Sequence, residues 1–253
     1  MSGVRALDGD AVHLWRASLD PDPAVLTALG ATLSPAERQR AARFRRPEDR
    51  RRSTAARGWL RYLLGGYLGE DAAGLVLLED EGGKPRLQGA GRAWLRFNLS
   101  HSAEVMVVAV ARDREVGVDV EEITAGMPFE AMSRRLLSER DQRFVSRAGP
   151  DRRPEAFLAC WTRTEAVLKA AGLGLGVDPS TIEALPPNAT LGRLGPSRVG
   201  RWALRGFDAG PGLAAAVAVE GSGVRIPDVA RRLSLATVAD AIAAARAPAT
   251  RPR

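Results

Sequence analysis

The chain has 253 residues, of which 45% are apolar, and this is enough for one large domain or two small ones with a sizeable core. A net charge of +7, carried mostly by arginine, favours an anionic partner: nucleic acid, an acidic protein or a phosphorylated small molecule. The single Cys160 excludes an internal disulfide, residues 1–31 lack a signal peptide's apolar segment, and no run is apolar enough to span a membrane. We therefore predict a cytoplasmic protein.

The first part of the chain predicts one strand, then helices, then further strands. Ser34 and Glu37 match a capping box around Pro35, which opens a helix ending near Phe44. Pro47 starts the next helix, whose first turns are basic and whose last turns are apolar, so we expect its start to be exposed and its end buried. The predicted elements are a strand at 12–19, helices at 24–29, 35–44 and 48–67, and strands at 75–78, 94–99 and 105–111, the last two joined by a Ser-His-Ser turn.

A second pattern begins at Val116, where Val116, Val118 and Val120 alternate with a glycine, Asp119 and Glu121. Alternation of this kind is typical of a strand. The valines should share one face and the two carboxylates the other, with their Cα atoms about 6.6 Å apart. Like charges this close raise a pKa or attract a cation, and Mg²⁺ is one candidate. A solvated strand face near a sheet edge is the alternative.

From residue 116 onward the predicted elements repeat the order of the first part. They are a strand at 116–121, helices at 128–137, 138–145 and 154–171, and strands at 181–185, 202–207 and 213–219. Short echoes keep the same order, for example Trp59-Leu60-Arg61 and Trp161-Thr162-Arg163. We therefore predict an α+β fold of two duplicated lobes, 1–113 and 114–221, that meet at a cleft. Residues 222–253 are predicted as an appended helical extension, with an alanine-rich helix from Val229 to Ala247.

The long helix at 154–171 carries an apolar stripe that includes Trp161 and Leu168, and Glu165 lies between them. A carboxylate that borders the core needs a partner. Lys169 follows at i+4, so an ordinary surface ion pair worth about 0.3–0.5 kcal/mol is one interpretation. Gly172 ends this helix.

Four short motifs follow one another along the chain: Gly83-Lys84-Pro85, Phe97 to Ser102, Gly117 to Glu121, and Trp161 to Ala166 with Lys169. Their order and spacing resemble those of the 4'-phosphopantetheinyl transferases, particularly the longer, monomeric surfactin-type enzymes, from about residue 34 to residue 175. The resemblance implies a pseudo-twofold pair of α+β lobes. It also implies transfer of the phosphopantetheine arm of coenzyme A to a serine of an acyl or peptidyl carrier protein, with release of adenosine 3',5'-bisphosphate.

The same resemblance implies roles for particular residues. Asp119, Glu121 and Glu165 would hold Mg²⁺ on the pyrophosphate. Lys84, Ser100, His101 and Lys169 would contact the phosphates of the coenzyme, Pro85 would flank the adenine, and Arg40, Arg52 and Ser53 would make further coenzyme contacts. Glu165, assisted by Asp119 and Lys169, is the candidate base for the incoming hydroxyl.

The predicted partners are coenzyme A and an acidic carrier protein that docks on the basic helices around residues 38–52, with no nucleic acid and no membrane, and the predicted enzyme is a monomer. The family usually has lysine where this chain has Thr164. A catalytically weakened relative that holds coenzyme A or a carrier protein as a scaffold is therefore one alternative. A nucleic-acid binder is another, although no such motif is present. A hydrolase built on His101 and a neighbouring serine is disfavoured, because adjacent strand residues point apart and no G-x-S-x-G elbow occurs.

Overall fold

The computed structural model describes residues 7–80, 83–173, 176–184, 190–194 and 198–235, with 190–194 and 198–201 described by their backbone alone. Helices and strands are mixed along the chain, which confirms the predicted α+β class. The elements are β1 (Val12–Ser18), α1 (Pro23–Ala31), α2 (Pro35–Ala42), α3 (Pro47–Leu68), β2 (Leu77–Glu79), β3 (Pro85–Leu87), β4 (Leu95–Ser102), β5 (Val105–Arg112), β6 (Val116–Glu122), α4 (Phe129–Leu136), α5 (Glu139–Arg147), α6 (Arg153–Ala171), β7 (Thr190–Leu194), β8 (Arg198–Gly206), β9 (Leu213–Glu220) and β10 (Arg231–Arg232).

In the described part of the chain the strands form two four-stranded sheets, β10-β1-β5-β4 and β6-β9-β8-β7, and a separate β2-β3 hairpin. The two halves have the same strand connectivity. In the first half β1 pairs antiparallel with β5, which pairs antiparallel with β4. In the second half β6 pairs antiparallel with β9, which pairs antiparallel with β8. The predicted lobe boundary at residue 113 falls between β5 and β6. This is the arrangement expected of duplicated lobes, and the duplication itself stays a prediction.

The valine face of β6 forms part of the core between the two sheets. Val116, Val118 and Val120 are fully buried and belong to a cluster that includes Leu14 of β1 and Val107 of β5. Their alternation with the acids of β6 is confirmed, because Asp119 lies on the opposite face of the strand, toward α6.

The helices of the first half begin as predicted. In the capping box of α2, the backbone N–H of Ser34 donates to Glu37 Oε2 at 2.8 Å, and that of Glu37 donates to Ser34 Oγ at 3.3 Å. In α3 the buried positions begin at Ala55 and include Trp59 and Leu60. The first turns of the helix are therefore exposed to solvent and its later turns are buried.

Gly117 lets α6 lie directly on β6. A Cβ atom at this position would lie 2.1 Å from the carbonyl oxygen of Ala166 and 2.3 Å from the backbone nitrogen of Ala170. Only glycine leaves room for this approach. The contact brings the turn of α6 that carries Glu165 and Lys169 against the strand that carries the acids.

Two local predictions are wrong. Residues 100–102 do not form a turn; they continue β4 as far as Ser102, which pairs with Val105, so the turn consists of Ala103 and Glu104. Polar side chains do not end a strand while its backbone ladder continues. The predicted strand at 181–185 is not found in the residues described: Thr181 ends a 3-10 turn that Asp178 caps, and residues 182–184 have no regular structure. Leu185 lies outside the described residues.

The predicted start of the helical extension at Val229 is wrong, although Leu235, where the described residues end, is helical. Arg231 and Arg232 form β10, which pairs in parallel with β1, and Leu233 is buried in the core of the first half. Tertiary pairing with the free edge of β1 overrides the helical composition at this point. Residues 236–253 lie outside the described part of the chain.

The sequence analysis also missed β3, a three-residue strand that pairs with β2 and contains Pro85. A strand this short gives almost no periodic signal. Among the helices that the structure describes, none is both long and apolar enough to cross a membrane.

Candidate active site

A cavity of about 910 Å³ is lined by residues of α2, α3, β3, β4, β6 and α6. Every site residue predicted from the sequence lies on its wall. These residues are Arg40, Arg52, Ser53, Lys84, Pro85, Ser100, His101, Asp119, Glu121, Glu165 and Lys169. The structure therefore brings together residues from both halves of the chain. The two that are farthest apart in sequence, Arg40 and Lys169, are separated by 129 positions.

Asp119 is the most deeply buried acid of this group, with 2% of its surface exposed. Its Oδ1 accepts hydrogen bonds from Lys169 Nζ at 2.6 Å and from Ser100 Oγ at 2.8 Å. Lys169 Nζ also donates to Ser100 Oγ at 3.0 Å. The partner of Lys169 is therefore the acid of a distant strand, not Glu165 four residues earlier in its own helix.

The other two acids have a raised pKa. Burial raises the pKa of Glu165, and the charge of Asp119 raises it further, while Lys169 opposes the shift. Burial and Asp119 likewise raise the pKa of Glu121, whose Oε2 accepts a hydrogen bond from Ser102 Oγ at 3.2 Å. The three carboxylates are thus close enough to repel one another, as the alternation in β6 predicted for two of them.

The arrangement around Asp119 fits a divalent cation. Its Oδ2 atom is buried and has no hydrogen-bond partner among the described residues. The same part of the chain contains no preassembled group of three or more His, Cys, Asp or Glu side chains with metal-binding geometry. Mg²⁺ does not require such a group, because it usually binds one or two carboxylates, keeps several waters and completes its shell with substrate phosphates.

His101 lies near the end of β4 and borders the cavity. Partial burial lowers the pKa of His101, and the positive charges of Lys169 and Arg52 lower it further. Both effects favour the neutral form of the imidazole. A phosphate bound beside it would favour the protonated ring.

Lys84 is buried, with 7% of its surface exposed. Its Nζ donates to Glu115 Oε2 at 3.1 Å and to the carbonyl oxygen of Val116 at 2.9 Å. Burial lowers the pKa of Lys84, and Glu115 opposes the shift. Two of its three N–H donors are therefore bound to the strand region that precedes Asp119.

The arginines predicted to contact the coenzyme have acidic partners in the structure. Arg52 donates to Glu104 Oε1 at 2.7 and 3.1 Å, and Arg40 binds Glu79 Oε1 at 2.6 Å while 64% of its side chain stays exposed. Pairs this exposed are weak, so an anionic ligand can compete for these arginines.

Thr164, where the resembling family has lysine, is fully buried and does not line the cavity. Its hydroxyl has no hydrogen-bond partner among the described residues. Arg163, which is adjacent, donates to the carbonyl oxygen of Ala159 and is absent from the cavity wall. Neither residue therefore supplies a charged group to the cavity.

The sequence analysis missed Asn98 as a site residue. It is 4% exposed, borders the cavity, and its Oδ1 accepts the backbone N–H of Val118 at 2.9 Å. A signal was present, because Asn98, Ser100 and Ser102 recur every second residue and so point to one side of a strand. Assigning the serines to a turn concealed it.

Two family models match consecutive parts of this chain. The model described as "4'-phosphopantetheinyl transferase, N-terminal" matches residues 17–113, and the model described as "4'-phosphopantetheinyl transferase superfamily" matches residues 115–218. Between them they include every predicted site residue.

Curated relatives carry the same description. The chain is 36% identical over 216 residues to 4'-phosphopantetheinyl transferase HetI of Nostoc sp., covering 85% of this chain and 90% of the relative. It is 28% identical over 147 residues to the 4'-phosphopantetheinyl transferase of Bacillus subtilis, covering 58% and 63%. It is 29% identical over 163 residues to L-aminoadipate-semialdehyde dehydrogenase-phosphopantetheinyl transferase of Xenopus laevis, covering 60% and 53%. With its predicted motifs gathered in one cavity, the chain belongs to the 4'-phosphopantetheinyl transferase superfamily.

Proposed function

We propose that this protein is a Mg²⁺-dependent enzyme that transfers the phosphopantetheine arm of coenzyme A to a serine of an acyl or peptidyl carrier protein. The products are the holo carrier protein and adenosine 3',5'-bisphosphate. One observation carries the proposal: Asp119 and Glu121 of β6 and Glu165 of α6 converge with Lys169 in a single large cavity.

The reaction moves a phosphoryl group. The serine oxygen of the carrier protein attacks the phosphorus that bears the pantetheine arm, and the bond from that phosphorus to the bridging oxygen of the diphosphate breaks. The serine proton passes to a base, and the leaving oxygen keeps the electron pair. Such a reaction needs positioned reactants, neutralised charge and a base more than it needs covalent help from the protein.

The three acids and Lys169 are assigned to neutralising the negative charge of the diphosphate, the acids by holding a cation. We assign Asp119, Glu121 and Glu165 as the residues that hold Mg²⁺, and the unpartnered Oδ2 of Asp119 is the atom that supports this most directly. When bound, the ion neutralises charge on the diphosphate and lowers the barrier to bond breaking. Lys169 holds Asp119 in place and presents a further positive charge to the phosphates.

Glu165 is our candidate for the general base. Its carboxylate borders the cavity and has no hydrogen-bond partner among the described residues, so it is available to accept the serine proton directly or through a water molecule. Burial raises its pKa, which makes the ionised carboxylate a stronger base. The nucleophile itself belongs to the carrier protein.

The coenzyme is held mainly by the first half of the chain. We assign Ser100, His101 and Lys84 to its phosphates together with Lys169, and Pro85 to one face of the adenine. Arg40, Arg52 and Ser53 make further coenzyme contacts. Their positions on one wall support this assignment.

We assign the docking of the carrier protein to basic residues near the same cavity. Arg43, Arg45, Arg46 and Arg50 are exposed around the start of α3 and suit an acidic partner. We expect the enzyme to act as a monomer in the cytoplasm, where the free and buried Cys160 stays reduced.

The test is to incubate the protein with coenzyme A, Mg²⁺ and an apo carrier protein, and to measure the intact mass of the carrier. We expect a gain equal to the phosphopantetheine arm, and no gain when the metal is chelated. Glu165→Gln should abolish the gain while coenzyme A still binds in calorimetry. Full turnover by this variant would remove Glu165 from the mechanism.

The alternative, a weakened relative that only binds coenzyme A or a carrier protein, depends on Thr164, which stands where the family usually has lysine. Thr164 lies outside the cavity and supplies no charge to it, so the carrier-mass assay must decide between the two functions. Coenzyme binding without any gain in carrier mass would establish the alternative and exclude the transferase.

A further inference from the structure

The strand that carries the acids lies at the edge of its sheet. The carbonyl of Glu115 accepts from Glu220 N at 2.9 Å, and Ile123 N donates to Gly212 O at 2.8 Å, both toward the β9 side. Backbone groups alternate in direction along an antiparallel strand, so those of the even-numbered residues of β6 point away from β9. Such groups need partners when they are buried.

Side chains of the first half supply these partners. Asn98 Oδ1 accepts the N–H of Val118 at 2.9 Å, and Ser102 Oγ accepts the N–H of Glu122 at 3.0 Å. The third partner is Lys84 Nζ, which donates to the carbonyl of Val116 at 2.9 Å. Side-chain hydrogen bonds thus replace a neighbouring strand along this edge.

The bond to Val118 lies next to Asp119, the most deeply buried of the acids. Val118 directly precedes Asp119, and Asn98 is two residues before Ser100, whose hydroxyl donates to Asp119. Asn98 is more deeply buried than Lys84, so water does not readily take over its role. It connects the wall that we assign to the coenzyme with the strand that we assign to the metal.

We propose that Asn98 is a positioning residue for the transfer reaction: its side-chain oxygen sets the register between β4 and β6, and so aligns Asp119 and Glu121 with a coenzyme bound by the first half. This inference rests on the proposed function. It predicts a loss in kcat with little change in coenzyme affinity, because the coenzyme contacts lie mostly on the half that Asn98 itself belongs to.

The experiment compares Asn98→Leu, which has a similar shape but no acceptor, with Asn98→Asp, which keeps an acceptor oxygen at the same reach. The control is Asp141→Leu, because Asp141 is also fully buried, accepts a backbone N–H (Ala184 N, 3.0 Å) and does not line the cavity. For each variant we would measure kcat from carrier mass, the Kd of coenzyme A by calorimetry without carrier protein, and Tm.

We expect Asn98→Leu to lower kcat by about 10-fold to 100-fold, since misplacement by about 1 Å can cost that much, with the Kd of coenzyme A within about threefold of the wild type. Asn98→Asp should keep clearly more activity than Asn98→Leu. Asp141→Leu should lower Tm but leave kcat unchanged for the folded fraction. Should Asn98→Leu fail to fold, Asn98→Ala provides the same comparison, because it also removes the acceptor oxygen.

The inference alone would be overturned by a kcat for Asn98→Leu equal to that of the wild type, or by equal losses in Asn98→Leu and Asn98→Asp. A selective loss of coenzyme affinity would overturn it too, since Asn98 would then belong to the coenzyme site. Absence of transfer by the wild-type chain would instead overturn the proposed function, and this inference with it.

Discussion

Gly117→Ala tests whether the approach of α6 to β6 sets the geometry of the acids. The added Cβ would lie 2.1 Å from the carbonyl oxygen of Ala166, whereas real Cβ atoms essentially never come closer than 3.0 Å to another heavy atom. The helix must therefore move away from the strand by about 1 Å, because the three atoms that the new Cβ would meet, in Ala166 and Ala170, all belong to the backbone and cannot rotate aside. Glu165 and Lys169 would move with the helix.

The size of the effect follows from that displacement. Overpacking of this kind costs about 1–3 kcal/mol of folding free energy. The hydrogen bond of 2.6 Å between Lys169 Nζ and Asp119 Oδ1 would lengthen toward the limit of a useful contact. A misplacement of about 1 Å in a catalytic group can cost about 100-fold in rate, so we expect a loss of that order in kcat.

The control is Gly58→Ala in α3, where the added Cβ would lie 2.5 Å from Leu29 Cβ. This change also crowds a helix contact, but it involves none of the acids. In the carrier-mass assay, Gly58→Ala should lower Tm and keep the wild-type kcat, whereas Gly117→Ala should lower both. Transfer at the wild-type rate by a folded Gly117→Ala would refute the reasoning, because the acids would then tolerate a displaced helix.

Two further predictions concern buried polar groups. Thr164→Val should raise the free energy of unfolding by about 1 kcal/mol in urea titration without changing kcat, because it removes a hydroxyl with no partner among the described residues; Thr164→Lys should destabilise the fold without raising kcat, and a gain in kcat would contradict the buried position. Burial, assisted by the positive charge of nearby Arg231, lowers the pKa of His13 from 6.5 to about 4, and the Tyr67 hydroxyl lies 2.6 Å from His13 Nδ1. Because the folded state favours the neutral ring, this stabilisation is complete above about pH 6.5 and is lost as the pH falls toward 4, about 3 kcal/mol in total. Urea titrations across that range should show a steeper loss for the wild type than for His13→Gln, and parallel curves would exclude His13 as the cause.

Much of the fold follows from local patterns. The alternation of Val116, Val118 and Val120 predicted both the strand and its buried face, since side-chain direction in a strand depends only on position along it. The capping box at Ser34 predicted where α2 begins, because its two hydrogen bonds join residues three apart. Patterns that need only neighbouring residues are readable without knowing the rest of the chain.

Other elements depended on contacts between distant segments. The alanine-rich composition after Val229 predicts a helix, but Arg231 and Arg232 pair in parallel with the edge of β1. Ser100 and Ser102 have the composition of a turn, but they remain in β4 because β5 continues to pair with them. Local composition contains no information about which distant strands are close enough to pair, so secondary-structure predictions from composition fail at such positions.

The candidate site, like the fold, depends partly on local sequence patterns and partly on contacts between distant segments. The sequence alone determined the candidate residues, because their types and order match one family's motifs, and all of them line one cavity. Only the tertiary structure decided their partners: Lys169 binds Asp119, fifty residues away, while Thr164 is buried outside the cavity and Asn98 holds β6. The physical reason is that spacing along a helix or strand specifies direction, whereas a hydrogen bond between two elements exists only after packing has set the distance between them, as Gly117 does for α6.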